Sequence, residues 1–310
     1  MIRILETTLD GLSLVDDITQ GCWVNVFEPD LDELREVSDR LEIPLDFLTD
    51  ALDVDEMSRV ELEDNAILMI LRAPRYDTNQ EDVPFTTLPI GVAVVSNVVV
   101  TVCALDIREL LDLFGRRMKN LHPENRNRFI LQLFHRTAFL YLNYLKEINR
   151  RSHEIESELQ RATRNDELMR LLDIEKSLVF LSTSLRSNDM LMERLRRLKT
   201  WPLSEDDTDF LEDVIIDNKQ AIEMASVYSN ILSSTIEAFA SVISNNLNTI
   251  MKFLTSVTII LTIPVLIASL YGMNVGLPFQ NSPHAFFITI GISMVLSLAG
   301  VLLFLRNKWL

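Results

Sequence analysis

Apolar positions change their spacing along the chain, and each change predicts a different kind of element. In the first third they come as short runs rich in Val, Ile and Leu, over residues 22–27, 66–71 and 90–103. The last two are nearly continuous, the pattern of strands buried on both faces. Between the runs, Leu31, Leu34, Val37 and Leu41 recur at helical spacing behind Asp30. That predicts a helix over 31–41 with Asp30 as its N-cap, and 44–53 reads as a second short helix. Residues 1–105 are therefore expected to be α/β.

From 106 to 200 the period is helical throughout. No proline falls between Pro123 and Pro202, and no glycine between Gly115 and Gly272. Two long amphipathic segments, 125–164 and 166–199, alternate apolar ridges with Arg/Glu faces and predict an antiparallel hairpin joined near 163–166. Trp201-Pro202 breaks the pattern. Ser204 with Asp207 three residues on suggests a capping box, and acids crowd the positive end of a new helix. The acids over 205–217 could instead collect divalent cations, but capping plus a solvated face is the favoured reading. Ala225, Tyr228, Leu232, Ile236, Phe239, Ile243, Leu247 and Ile250 then follow alternating spacings of three and four, a seam for packing on neighbours.

The last part of the chain changes character again. Between Phe253 and Leu305 there is no Asp, Glu, Lys or Arg. Residues 253–270 and 285–305 are each long enough, at about 1.5 Å per residue, to cross a hydrocarbon layer of roughly 30 Å. The connector holds Gly272, Gly276, Pro278, Asn281 and Pro283 and is expected to turn outside it. One face of the incoming helix stays polar: Ser234, Ser241, Asn245, Asn248, Met251, Thr255, Thr258, Thr262 and Ser269. A lipid-facing stripe has no reason to be polar. Hydroxyls can bond their own helix backbone or pack helix pairs, but the continuity of the stripe fits better a helix lining a shared axis. One hairpin cannot enclose a channel, so several copies are required.

Charge and composition narrow the partners. The net charge is −16, and residues 252–310 hold three cations and no acid, so residues 1–251 carry −19. This disfavours nucleic acid and anionic lipid and fits either solubility or attraction of cations. Lys252, Arg306 and Lys308 flank the two spans and place both termini in the cytoplasm, with the connector outside. The opening residues do not read as a signal peptide. Cys22 and Cys103, far apart, are expected as buried thiols in a reducing compartment. His122, His135 and His153 stand singly, without Cys or carboxylate partners at ligand spacing. With eight glycines and no Gly-rich phosphate loop, no nucleotide site is indicated. No nucleophile–base pair points to an enzyme.

Tyr271-Gly272-Met273-Asn274 directly follows the first span, and the second ends in Arg306-Asn307-Lys308-Trp309-Leu310. With an acidic amino-terminal region and a long helix running into the first span, this resembles the CorA family of magnesium channels. The resemblance implies an α/β cytoplasmic domain, a helical hairpin and stalk helix, and two C-terminal transmembrane helices, in a homo-oligomeric, pentameric funnel. We divide the chain at 1–124, 125–252 and 253–310 accordingly. It also implies magnesium as cargo, with cobalt and nickel as further ions, passive transport across the cytoplasmic membrane, and no cofactor beyond transported and regulatory Mg2+. The partners are then further copies of the chain, the bilayer and divalent cations.

The pore residues expected on this reading are Asn248, Met251, Thr255, Thr258, Thr262, Ser269, Gly272, Met273 and Asn274. Magnesium keeps its water shell, and rings of neutral oxygens accept hydrogen bonds from it without holding the ion too tightly to leave. The alternative for Gly272 and Asn274 is helix termination in a left-handed conformation. Pro264 removes one backbone donor and is expected to bend the helix, and its register differs by about one residue from the family's proline. The resemblance aligns Asp213, and also Asp50, with acids that hold a regulatory magnesium between subunits; capping or solvation is the competing role. Residues 275–284 lack the acid that many relatives carry there. His284 could suit zinc, which other members of the family carry. A zinc transporter and a membrane-anchored cytoplasmic scaffold or sensor are the alternatives to a magnesium channel.

Overall fold

The computed structural model describes the chain except residues 9–10, 64–65, 78–82, 108–120, 162–164, 280–281, 308 and 310. Two compact units are present, Met1–Ile236 and Glu237–Leu310. In the first, strands β1 (Ile2–Thr8), β2 (Gly11–Val15), β3 (Trp23–Phe27), β4 (Arg59–Glu63), β5 (Ala66–Tyr76), β6 (Phe85–Val95) and β7 (Val98–Cys103) form one sheet. Its order is β2-β1-β3-β7-β6-β5-β4, and β3 with β7 is its parallel pair.

The nearly continuous apolar runs follow from burial on both faces. Along β5, Leu68 and Ile70 face α1 (Leu31–Leu41) and α2 (Leu45–Asp50), whereas Met69, Leu71 and Ala73 point into the opposite core. Successive side chains alternate across a pleat, so a strand covered on both sides must be apolar at every position. The 90–103 run is two strands: a turn at Ser96-Asn97, with Ser96 at φ 54°, separates β6 from β7. A run of apolar residues does not reveal a two-residue hairpin turn without glycine. Strands β1, β2 and β4 are additional to the three expected; β2 and β4 carry polar residues at alternate positions, and β1 ends in three polar residues.

Helix α1 starts where Asp30 predicted. The Asp30 carboxylate accepts from the backbone of Asp32 and Glu33, and Glu33 returns a bond to the Asp30 N–H. Such a box contributes about 1 kcal/mol. Helix α2 is shorter than expected, ending at Asp50, because residues 51–56 leave the helix in a series of turns.

Helices α3 (Arg126–Arg161) and α4 (Asn165–Arg196) pack on each other and on the other sheet face; the expected join partly lies outside the described residues. Phe129, Ile130, Phe134, Leu191 and Leu195 share one core with Leu211 and Val214 of α5 (Glu205–Tyr271). The Ser204 hydroxyl accepts the Asp207 N–H at 3.1 Å, the capping contact expected there. Of the predicted seam, Ala225 and Leu232 are buried while Leu247 and Ile250 are exposed. Helix α6 (Ala285–Arg306) completes the second unit.

Helix α2 approaches the sheet at Gly91. A methyl group placed there would sit 2.3 Å from the Ala51 Cβ. Overpacking of this kind costs about 1–3 kcal/mol. Gly91→Ala is therefore expected to lower the denaturation midpoint of the purified protein, and Ala51→Gly in the same chain to restore most of the loss. An unchanged midpoint in the single variant would contradict this packing.

Candidate functional site

The second unit is a pair of apolar helices with a distinct packing face. On α5, Ser256 and Ile267 are buried, and Ile260 and Ile263 lie against Gly300 of α6. A Cβ on Gly300 would stand at ordinary contact distance, 3.5 Å from Ile263 Cδ1, so the two helices meet at this position. Thr289, Ser293, Ser297 and Gly300 recur at four, four and three and are half-buried on α6. Small residues at such spacing allow helices to pack where no hydrophobic effect drives them together. Both helices have the length and apolarity needed to cross a bilayer.

The polar stripe is on a different face of α5. At about 100° per residue, Asn248, Met251, Thr255, Thr258, Thr262 and Ser269 centre roughly 130° away from Ser256, Ile260, Ile263 and Ile267. All six are exposed, so the helix pair leaves them free for another surface. Thr258 Oγ1 donates to the Leu254 carbonyl at 2.8 Å, and Thr262 Oγ1 to the Thr258 carbonyl at 2.7 Å. Backbone bonding by these hydroxyls thus occurs, and it has a chemical consequence. It uses the proton and leaves the oxygen lone pairs outward. A helix face presenting acceptors in this way suits the water shell of a cation. Helix α5 continues through Pro264 as one element.

At the end of α5, Gly272 N–H reaches the carbonyls of Ala268 and Ser269, and Met273 N–H that of Leu270. Neither Gly272 nor Asn274 adopts a positive φ, so left-handed helix termination does not explain these residues. Gly272, Met273 and Asn274 are all exposed. Tyr271 closes the turn, its hydroxyl donating to the Pro278 carbonyl at 3.3 Å. Phe279 holds a left-handed φ of 63°, unusual for an aromatic residue. His284 stands exposed before α6, its N–H bonded to Ser282 Oγ.

The two acids aligned with regulatory positions have different surroundings. Asp50 accepts from Arg59 Nη2 at 2.8 Å, and the same guanidinium engages Glu56 and Glu61. Asp213 is exposed beside a depression of about 450 Å3 lined also by Asp206, Asp207, Asp209 and Arg128. No contact joins Asp50 to Asp213 within the chain. His122, His135 and His153 each lie near a single carboxylate, Glu124, Asp217 and Glu156, at 3.4–3.7 Å. Among the described residues no group of three or more potential ligands converges.

The sequence reading missed a buried polar node around Arg72 on β5, reached by Ser184, Ser187 and Asn188 of α4. The available signal was Ser177, Ser184 and Asn188 recurring along a helix face that packs against the sheet.

Residues 19–307 match the model of the family described as CorA-like Mg2+ transporter protein. The chain is 28% identical to the cobalt/magnesium transport protein CorA of Methanocaldococcus jannaschii, over 99% of this chain and 96% of that one. It is 23% identical to the protein of the same description from Thermotoga maritima, over 98% and 88%. The complete structure of the CorA magnesium transporter from Methanocaldococcus jannaschii superposes with a TM-score of 0.84 at 25% identity, covering 100% of this chain and 99% of that one. The α/β region, long helix and two C-terminal apolar helices thus recur together in a solved structure.

Thiol chemistry tests the two faces of α5. Burial pushes the Cys103 thiol up to about 11 and also raises that of Cys22. Both native thiols should therefore stay silent at neutral pH. In oligomers embedded in liposomes, cysteine at Thr258 or Thr262 should react with small hydrophilic reagents, and cysteine at Ile260 or Ile263 should not. Equal reaction at all four positions would contradict the assignment of faces.

Proposed function

The chain belongs to the CorA-like Mg2+ transporter family, and from that premise we propose that it is a homo-oligomeric channel for hydrated divalent cations, magnesium foremost. It is a transporter and not an enzyme. The observation that carries the reading is the polar face of α5, opposed to the face that packs on α6 and ending at exposed Asn274. Copies arranged around an axis, five by resemblance, turn each of these residues into a ring. Lipid and the second span then cover the apolar outside.

Each ring supplies neutral oxygen. Asn274 contributes an amide carbonyl, Gly272 an uncrowded backbone carbonyl, and Thr258 and Thr262 the lone pairs of hydroxyls whose protons are already used. Magnesium binds its waters too strongly to shed them readily, so the rings bind the hydration shell. Without carboxylates in the narrow part, the ion is not held so tightly that it cannot leave. Movement follows the electrochemical gradient. The positive-inside pattern of Lys252, Arg306 and Lys308 puts both termini in the cytoplasm and the Gly272–Asn274 turn outside. The relatives are cobalt/magnesium transport proteins, which supports hard or borderline divalent ions as cargo. A zinc preference would need a softer ligand, and His284 is the candidate at the outer turn.

Regulation belongs to the same reading. Asp213 is exposed and Asp50 is half-exposed beside Arg59, so each is accessible to another subunit. A divalent ion shared between carboxylates of adjacent subunits replaces repulsion with attraction and favours a closed ring when internal magnesium is high.

Flux into proteoliposomes, comparing magnesium, cobalt and zinc, tests the reading directly. Asn274→Ala is expected to reduce magnesium flux to that of protein-free liposomes while the oligomer still assembles. Wild-type flux in that variant would remove Asn274 from the filter. Asp50→Asn combined with Asp213→Asn should raise flux at high internal magnesium and weaken magnesium protection against protease. Unchanged magnesium dependence of both would exclude this pair as the sensor.

A further inference from the structure

Arg72 is 8% exposed, and no carboxylate among the described residues pairs with it. Its guanidinium is satisfied by neutral acceptors alone. Nη1 donates to the carbonyls of Val54 at 2.9 Å and Glu56 at 2.6 Å. Nη2 donates to Thr87 Oγ1 at 2.9 Å and to the Thr87 carbonyl at 3.3 Å, and Nε to Thr87 Oγ1 and to Ser184 Oγ at 3.1 Å. A buried charge without a counter-ion is costly, and removing its hydrogen-bond partners makes it more so. The protein therefore keeps Arg72 only where all of these acceptors stay in place together.

Its backbone is tied as firmly. Strand β4 begins at Arg59, paired with Ile70, so at Arg72 the neighbouring strand has already left the sheet. The Asn188 side chain replaces it: Arg72 N–H donates to Asn188 Oδ1 at 3.0 Å, and Asn188 Nδ2 returns a bond to the Arg72 carbonyl at 2.8 Å. The Tyr141 hydroxyl reaches the same carbonyl, and Ser58 bonds to both Ser187 and Asn188. Helix α4 thus holds the sheet edge through Ser184, Ser187 and Asn188. One turn of α4 also holds α5: the Leu185 carbonyl accepts from buried Asn218 at 3.0 Å.

We propose that Arg72 is the positioning residue that couples the acidic loop between α2 and β4 to the long helix α5. The loop is fixed to Arg72 by the carbonyls of Val54 and Glu56, it carries Asp53 and Asp55, and its two ends are joined by the ion pair of Arg59 with Asp50. Arg72 is fixed to α4 by Ser184 and Asn188, and α4 to α5 by Asn218. Moving the loop removes acceptors from a buried cation, so α4 must follow or Arg72 must be left unsatisfied. The links through Ser184, Asn188 and Asn218 are buried, those to the Val54 and Glu56 carbonyls are part-buried, and all are short, the condition for discrete rather than gradual displacement. The consequence for transport rests on the channel reading above; the coupling itself does not.

Amide hydrogen exchange of the full-length, detergent-solubilised oligomer tests the coupling without reference to flux. Arg59→Gln releases the loop carboxylates. In the wild-type background it is expected to speed exchange in residues 53–58 and, by about fivefold, in residues 214–222 of α5, the scale of ordinary site-to-site coupling. With Asn218→Leu or Ser184→Ala already present, Arg59→Gln should still speed exchange in the loop, but add less than about twofold in α5. Arg72→Lys, which keeps the charge and loses the planar fork, should uncouple the two in the same way; if it fails to fold, the Asn218 and Ser184 backgrounds decide. An α5 response of equal size in every background, or none in the wild type, would overturn the proposal. Magnesium flux measured on the same proteins separates this from the channel reading, since absent flux in the wild type bears on that reading alone.

Discussion

Helix α5 must satisfy an interior and an apolar solvent within a single run of 67 residues. Its first turns are acidic and capped by Ser204, and its next turns place Leu211, Val214 and Ala221 in a core built by the sheet and two other helices. Its last turns contain no charge from Phe253 onward. A helix bonds its own backbone throughout and is therefore the one element that can pass from water to lipid without exposing unpaired peptide groups. What changes along it is the side chains, and each change has a cause in the surroundings.

The polar stripe is the exception to that gradient. A threonine hydroxyl that bonds to the preceding turn leaves no unsatisfied donor in an apolar medium, which explains why the stripe survives in an apolar segment. That bond would also be compatible with a purely structural role. The assignment to a pore therefore rests on direction: the face that packs on α6 contains Ile260 and Ile263, and the threonines lie on another one. The same reasoning applies to Gly272 and Asn274, since their backbone does not need the left-handed freedom that usually explains such residues at a helix end.

Electrostatics in the first unit is organised around guanidinium groups more than around carboxylates. Arg59 collects Asp50, Glu56 and Glu61 at the surface, and buried Arg72 holds the carbonyls of the same loop from beneath. In a chain of net charge −16, the acids around Arg59 are engaged by their own arginine. The paired acids lose part of their attraction for an external cation, whereas no ion pair to Asp213 is present among the described residues. This difference gives two carboxylates of the same type different chemistry.

Periodicity and punctuation made much of this legible in the sequence. The helix at 31–41 with its Asp30 cap, the break at Trp201-Pro202, the long final helix and the apolar pair around Tyr271–Asn274 each depend on contacts within a few residues, and local patterns record these well. The split of the 90–103 run, the additional strands β1, β2 and β4, and the packing of α3 and α4 on the sheet depend on partners far along the chain. No local pattern carries that information. Arg72 illustrates the limit most clearly. In the sequence it is one arginine directly after the apolar run 66–71. Only the tertiary structure brings Val54, Glu56, Thr87 and Ser184 around it, because a buried charge is permitted only where distant parts of the chain satisfy every donor at once.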